Sequence, residues 1–351
     1  MSFKIGNRET SAAIVIFSLS PVIPVLVGGT SSILGTGAWI NCLFCFALSL
    51  LLLLSVKLYF SVCPNQSIID SCADALGNAA SALVGIVFLG LIFASVVFSV
   101  SFYSSDISSL TLGAVDALSS RLLICLAGGV VAWLGIEALT RQSYIILILA
   151  IALIAFVVAS CFRGINPDNL YPVLGTSVRG TFSHFMNLSV YMGIAPFLLI
   201  CDCISAEKSA YKCALRSMLW AFGIATVLFL LYSLTVPYPM GKMFSHSMQA
   251  IFASASSGEL LHRFELLLAC VSTLFAIVIS AFSFAVCSRV IAKLCKAGDE
   301  RPFVLILAVL LYNLSGIKIS ASVYILVCIS LSILSVFVPL VIILFNYKKG
   351  E

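Results

Sequence analysis

The sequence predicts an all-α integral membrane protein of ten transmembrane helices, arranged as two inverted sets of five in which the first helix of each set is broken. Three observations predict it: a composition no water-soluble fold shares, apolar runs of bilayer-crossing length, and prolines and glycines at matching places in spans 1 and 6. Of 351 residues, 62% are hydrophobic and only 9% are charged, against about a quarter charged in soluble domains. Runs such as CLFCFALSLLLLLSVKLYF and YIILILAIALIAFVVASCF approach or reach the roughly 20 apolar residues that cross ~30 Å of hydrocarbon as helix. Alternating barrel-type strands are absent.

Spans are expected near 11–29, 37–60, 81–104, 119–139, 142–162, 182–203, 213–236, 264–292, 302–317 and 320–346. The basic start MSFKIGNRETS lacks a following small-residue cleavage site, so it reads as a retained N-terminus and not as a cleaved signal peptide. With the N-terminus inside, thirteen of the nineteen Lys and Arg residues fall on the inner side and six on the outer. The positive-inside rule therefore places both termini in the cytoplasm. It also accounts for the net charge of +5 without nucleic acid. Thirteen cysteines, including the pairs Cys42/Cys45 and Cys201/Cys203, lie mostly in apolar runs, where Cys behaves as a small hydrophobe. No set of ligands at zinc spacing surrounds either pair.

Ten spans split into halves of five, 1–162 and 163–351, and an odd number forces the second half to enter from the opposite side, as an inverted repeat requires. Span 1 carries SLSPVIPVLVGGT at 18–30, with Pro21, Pro24, Gly28 and Gly29. Span 6 carries SVYMGIAPFLLI at 189–200, with Gly193 and Pro196. Each proline removes a backbone donor, so carbonyls at membrane depth need other partners. Paired breaks in corresponding spans point to a midplane binding site.

Hydroxyls on spans 1, 3, 6 and 8 can line it: Ser18 and Ser20, Ser99, Ser101 and Tyr103, Tyr191, Ser272 and Thr273. Pro21, Pro24, Gly28, Gly193, Ala195 and Pro196 supply the opened backbone. Glu137 with Arg141, and Arg263 with Glu265, are candidate gate or structural ion pairs at the two mouths. His184 reads as an interfacial residue. Gly193 is expected to line a cavity, where a larger side chain is tolerated by the fold. No nucleotide loop, nucleophile elbow, zinc-protease motif or pair of mid-membrane carboxylates occurs, so neither catalysis nor a cofactor or metal is expected.

A string of landmarks in order carries a resemblance over nearly the whole chain: GAWI at 37–40, CPNQSIIDSCADALG at 63–77, GIEALTR at 135–141, NPDNLYPVLGTSVRG at 166–180, HRFELLL at 262–268 and DERPF at 299–303. The chain resembles the B subunits of endospore germinant receptors, the spore permeases of the amino acid-polyamine-organocation superfamily with its LeuT-like fold. The resemblance implies a permease-like subunit in the bacterial cytoplasmic or spore inner membrane. It would bind a small nutrient, an amino acid, between broken spans 1 and 6 and signal germination to A and C partner subunits. Where many members have Gly-hydrophobic-Gly-Glu in span 6, this chain has Gly193, Ile194, Ala195 and Pro196. The acid that could serve proton coupling is missing. A free-standing sodium-coupled amino-acid transporter and a ligandless receptor scaffold are the alternatives.

Overall fold

The computed structural model describes residues 6–64, 66–111, 113–161, 165–203, 210–237, 264–317 and 320–350. Span 1 is α1 (Asn7–Leu19) followed, after a break, by α2 (Val27–Leu34); span 2 is α3 (Ala38–Val62). A short α4 (Ile68–Leu76) precedes α5 (Asn78–Leu110), α6 (Ala117–Trp133) and α7 (Ile136–Cys161), which are spans 3 to 5. After α8 (Val178–Ser183), span 6 runs through a 3-10 segment, Met186–Gly193, into α9 (Ile194–Ile200). Spans 7 to 10 are α10 (Ala210–Thr235), α11 (Phe264–Cys295), α12 (Arg301–Leu314) and α13 (Ala321–Gly350). Among the described residues there is no strand.

Seven stretches are long and apolar enough to cross a membrane. The first, Asn7–Val62, holds spans 1 and 2 together, and the shorter apolar helices Ala117–Trp133 and Arg301–Leu314 complete ten. Span 4 is shorter than the sequence suggests. It stops at Trp133 because Gly135 turns the chain at φ 100, so Glu137 and Arg141 belong to the first turns of span 5. The segment 63–77 is likewise not plain loop. Ser67 caps α4 by accepting a hydrogen bond from the Asp70 N–H, and Ile68, Ile69 and Cys72 bury its apolar face.

The packing is inside-out relative to a soluble protein. Leu51, Leu58, Leu126, Val130, Ile145, Val309, Leu326 and Phe337 point outward, a surface stable only against lipid. Hydroxyls such as Ser18, Ser99 and Ser283 are buried instead. Helices of equal rank in the two halves pack on each other: span 1 on span 6, 2 on 7, 3 on 8, and 4 on 9. Phe17 meets Phe282 edge-on at 5.8 Å, and Phe46 lies 5.4 Å from Phe222.

Candidate ligand site at the broken helices

The sequence places the first break at Pro21, and the backbone opens there. Pro21 cannot donate to the Phe17 carbonyl, which accepts the Ser20 N–H at 3.1 Å instead. Beyond it the chain widens into a π-helical turn over Val22–Leu26, in which the Leu26 N–H reaches back five residues to the Pro21 carbonyl at 2.9 Å. Such insertions mark functional positions in helices. Pro24 lies within this turn and is buried; Gly28 follows in α2. In span 6, Pro196 stands in the first turn of α9, where a missing donor does no harm. The break therefore falls before it, as the 3-10 winding ending at Gly193.

Gly193, at the end of the 3-10 winding of span 6, meets span 1 on α1, just ahead of its break. A Cβ on Gly193 would overlap the Ser18 hydroxyl and come within 3.0 Å of the Ile14 carbonyl. Gly193 thus occupies a packed seam, not the cavity expected from sequence; only a residue without a side chain lets the two backbones approach this closely. Ser18 and Tyr191 are both 0% exposed, and neither hydroxyl has a hydrogen-bond partner among the described residues. Ala195 and Pro196 are buried beside them.

A second cluster joins spans 1, 3 and 10. The Tyr324 hydroxyl lies 2.7 Å from Ser99 Oγ and 3.3 Å from Ser20 Oγ. Its ring packs edge-on to Phe98 at 5.9 Å and stacks on Phe102 at 5.7 Å. Tyr103, one turn beyond Ser99, is also fully buried, and its hydroxyl has no hydrogen-bond partner among the described residues. Sequence reasoning missed Tyr324 because it weighed hydroxyls on spans 1, 3, 6 and 8 alone. The signal that could have found it is an amphipathic tyrosine early in an otherwise apolar span.

Other expected residues stand apart. Thr273 donates to its own helix at Ala269, 2.7 Å away. Ser272 and Thr273 lie nine to ten residues along α11 from Phe282, the ring that meets Phe17, so about 15 Å of helix separates them from that level. Ser101 is half-buried on α5. Glu137 and Arg141 do pair, at 2.6 Å, but within one helix and with side chains 37% and 66% exposed. That is a surface pair of small worth, not a bridge across a mouth. Arg263 lies outside the described residues, as does the side chain of Glu265. His184 is half-buried at the N-terminal end of span 6, where its carbonyl accepts a hydrogen bond from Asn41 at 2.8 Å.

The ion pairs that bridge helices were not anticipated. At the C-terminal end of span 6, Asp202 accepts from Arg289 at 2.9 Å and from Lys293 at 3.1 Å, both on α11. Lys293 also reaches Asp70 on α4 at 2.6 Å and Ser67 at 2.7 Å. Partial burial works against ionisation of Asp70, but the Lys293 ammonium, the Ser67 hydroxyl and the nearby Arg289 outweigh it and hold its carboxyl below the ordinary range. Asp202, Arg289 and Lys293 border a cavity of about 900 Å³, lined also by Glu137, Arg141 and Arg301. The hydroxyls at the breaks do not line it.

The opposite end, at the start of span 6, is tied by buried amides. Asn187 Nδ2 donates to Asn41 Oδ1 at 2.8 Å, Thr30 donates to Asn187 at 3.3 Å, and Asn41 Nδ2 donates to the Thr181 carbonyl at 2.6 Å. The chain around Gly175 lies on the turn between α2 and α3, with Thr176 N–H donating to the Leu34 carbonyl at 3.2 Å. Gly175, at φ 75, has no room for a Cβ over that carbonyl. Spans 1, 2 and 6 are thereby tied together above the breaks.

Comparison with known proteins follows the same lines. A family model for spore permeases, described as spore germination protein, matches residues 4–323. Among solved structures, the chain is similar to a Na+-coupled sialic acid symporter in its substrate-bound outward-open state. The two share 13% identity and a TM-score of 0.57, over 97% of this chain and 75% of that one. At that identity the likeness shows the fold, which is LeuT-like. No curated protein matches the chain.

Proposed function

The chain belongs to the spore permease family of spore germination proteins, and we propose that it is the permease-like membrane subunit of a germinant receptor. In this reading it binds a small nutrient, an amino acid, between broken spans 1 and 6 and passes the signal to A and C partner subunits. The observation that carries the reading is that the Ser18 hydroxyl, at the crossing with Gly193, and the Tyr191 hydroxyl, on the 3-10 winding of span 6, are both fully buried and have no hydrogen-bond partner among the described residues. A buried hydroxyl without a partner costs about 1–3 kcal/mol, and polar groups are retained at such depth where they serve function. Uncharged hydroxyls and opened backbone suit a zwitterion, whose two charges each need hydrogen bonds.

The repeat boundary near 162/163 is supported by the packing of equal-ranked helices, and a cytoplasmic location of both termini by the distribution of basic residues. Transition between states would release the ties at the inner and outer ends, with the ligand favouring one state by differential affinity. A sodium-coupled transporter is the second reading, favoured by likeness to a Na+-coupled symporter.

Purified protein in vesicles, given sodium or proton gradients and labelled amino acids, tests both readings. The receptor reading expects saturable binding with little accumulation. Robust gradient-driven accumulation would replace it with the transporter.

A further inference from the structure

The charged cavity beside Asp202 has no part in the reading above, yet two of the sequence landmarks meet there. GIEALTR at 135–141 gives it Gly135, Glu137 and Arg141, and DERPF at 299–303 gives it Asp299, Glu300 and Arg301. Two helices end at its wall, α6 and α11, and two begin, α7 and α12, so their macrodipoles offset one another. Side chains therefore set its polarity.

Five cations, Arg141, Arg289, Lys293, Lys296 and Arg301, line the cavity with four carboxylates. Most of the carboxylates are already engaged: Glu137 holds Arg141, Asp202 holds Arg289 and Lys293, and Asp299 Oδ1 accepts the Arg301 backbone N–H at 3.1 Å. Lys296 and Arg301 form no ion pair among the described residues. Arg289 is only partly used. Its Nη2 donates to Asp202 at 2.9 Å, while its Nε–H is buried with no hydrogen-bond partner among the described residues. A buried donor left without an acceptor is costly, the more so on a charged group. Part of the wall also belongs to the lipid-facing surface. Trp133 and Leu134 line the cavity and are exposed, and Leu305 and Ile306, in the next turn of α12, point outward. Helices α6 and α12 pack on each other there, and tryptophan at a span end is characteristic of the headgroup level.

We propose that this cavity is a second binding site, one for a phosphate group held by the Arg289 Nε–H, Lys296 and Arg301, and that the phosphate belongs to an anionic phospholipid whose chains lie along spans 4 and 9. The site is independent of what the broken spans bind. Phosphate suits it because separate cationic donors need several oxygens on one centre, and about 900 Å³ takes a glycerol-phosphate head whole. Glu300, a lining carboxylate with no side-chain partner among the described residues, opposes the anion. Because the Arg289 guanidinium also holds Asp202, an occupant here bears on the tie between α11 and span 6.

Full-length protein is reconstituted in nanodiscs of phosphatidylcholine alone and of phosphatidylcholine with phosphatidylglycerol, and thermal unfolding is followed with and without inorganic phosphate. Phosphatidylglycerol should raise the wild-type melting temperature by about 5 °C, as a ligand near about a hundredfold its dissociation constant does. Lys296→Gln with Arg301→Gln should lose that gain yet melt at the wild-type temperature in phosphatidylcholine, since neither residue is tied to another charge. Glu300→Gln should enlarge the gain. Lys212→Gln with Arg216→Gln removes the same charge from α10, outside the cavity, and should keep it. Equal loss in both double variants, or loss in neither, overturns the inference, because the lipid then acts through general surface attraction or at another place. A rise with inorganic phosphate that Lys296→Gln with Arg301→Gln abolishes, without a response to phosphatidylglycerol, keeps the phosphate site and refutes the lipid. No rise from either probe refutes both.

Discussion

Ser18 and Gly193 share one crossing point: the serine hydroxyl of span 1 fills the space a side chain on residue 193 would need, and the Ile14 carbonyl stands 3.0 Å from the same position. The end of the 3-10 winding in span 6 thus packs tightly on span 1 just ahead of its break. Gly193→Ala should lower the melting temperature and membrane abundance, by about 1–3 kcal/mol as overpacking does. Adding Ser18→Ala should recover part of the loss. Equal stability of Gly193→Ala and wild type, by thermal unfolding in detergent, would show that the seam opens freely.

Tyr191 offers the opposite sign. Removing a buried hydroxyl that has no partner among the described residues relieves its desolvation cost, so Tyr191→Phe should melt at the wild-type temperature or above it. If the hydroxyl contacts ligand, amino-acid binding in the same sample should weaken about tenfold. Lower stability together with intact binding would assign Tyr191 to packing.

The inner tie makes a labelling prediction. Asp202 is the anion shared by Arg289 and Lys293, and Cys201 beside it is 1% exposed. Asp202→Asn should increase modification of Cys201 by a membrane-impermeant thiol reagent applied at the inner face, read by peptide mass mapping. The charge exchange Asp202→Arg with Arg289→Asp should restore protection. Unaltered labelling would mean that packing, not charge, closes this end.

Asp70 sets the pH window of its share in that tie. Its folded pKa lies below the ordinary carboxylate value, so its contribution is complete above about pH 3.9 and is lost as pH falls through the lower folded value. The melting difference between wild type and Asp70→Asn should stay constant from pH 8 to 5 and shrink below about 4. A difference that fades between pH 7 and 5 would contradict the assignment.

Orientation is checked by reporter fusions. Those after Lys57 and Lys296 should report cytoplasm and one at Gly113 the outside, as the excess of inner Lys and Arg requires. The reverse pattern would invert every assignment of inner and outer end.

The sequence by itself determined the solvent, the helix count and the place of the first break, because each rests on local chemistry. Apolar run length selects a membrane helix, and Pro21 removes a donor whatever surrounds it. The family landmarks were legible for the same reason. Tertiary structure decided what the breaks face. Gly193 reads as cavity or seam with equal ease until Ser18 is placed against it, since a glycine carries no mark of its neighbour. Tyr324 and Ser20 are 304 residues apart, and Asp202 finds Arg289 across 87. No periodicity within a span encodes such pairings. The pair at Glu137 and Arg141 was legible because helical spacing alone brings it together, and for that reason it bridges nothing.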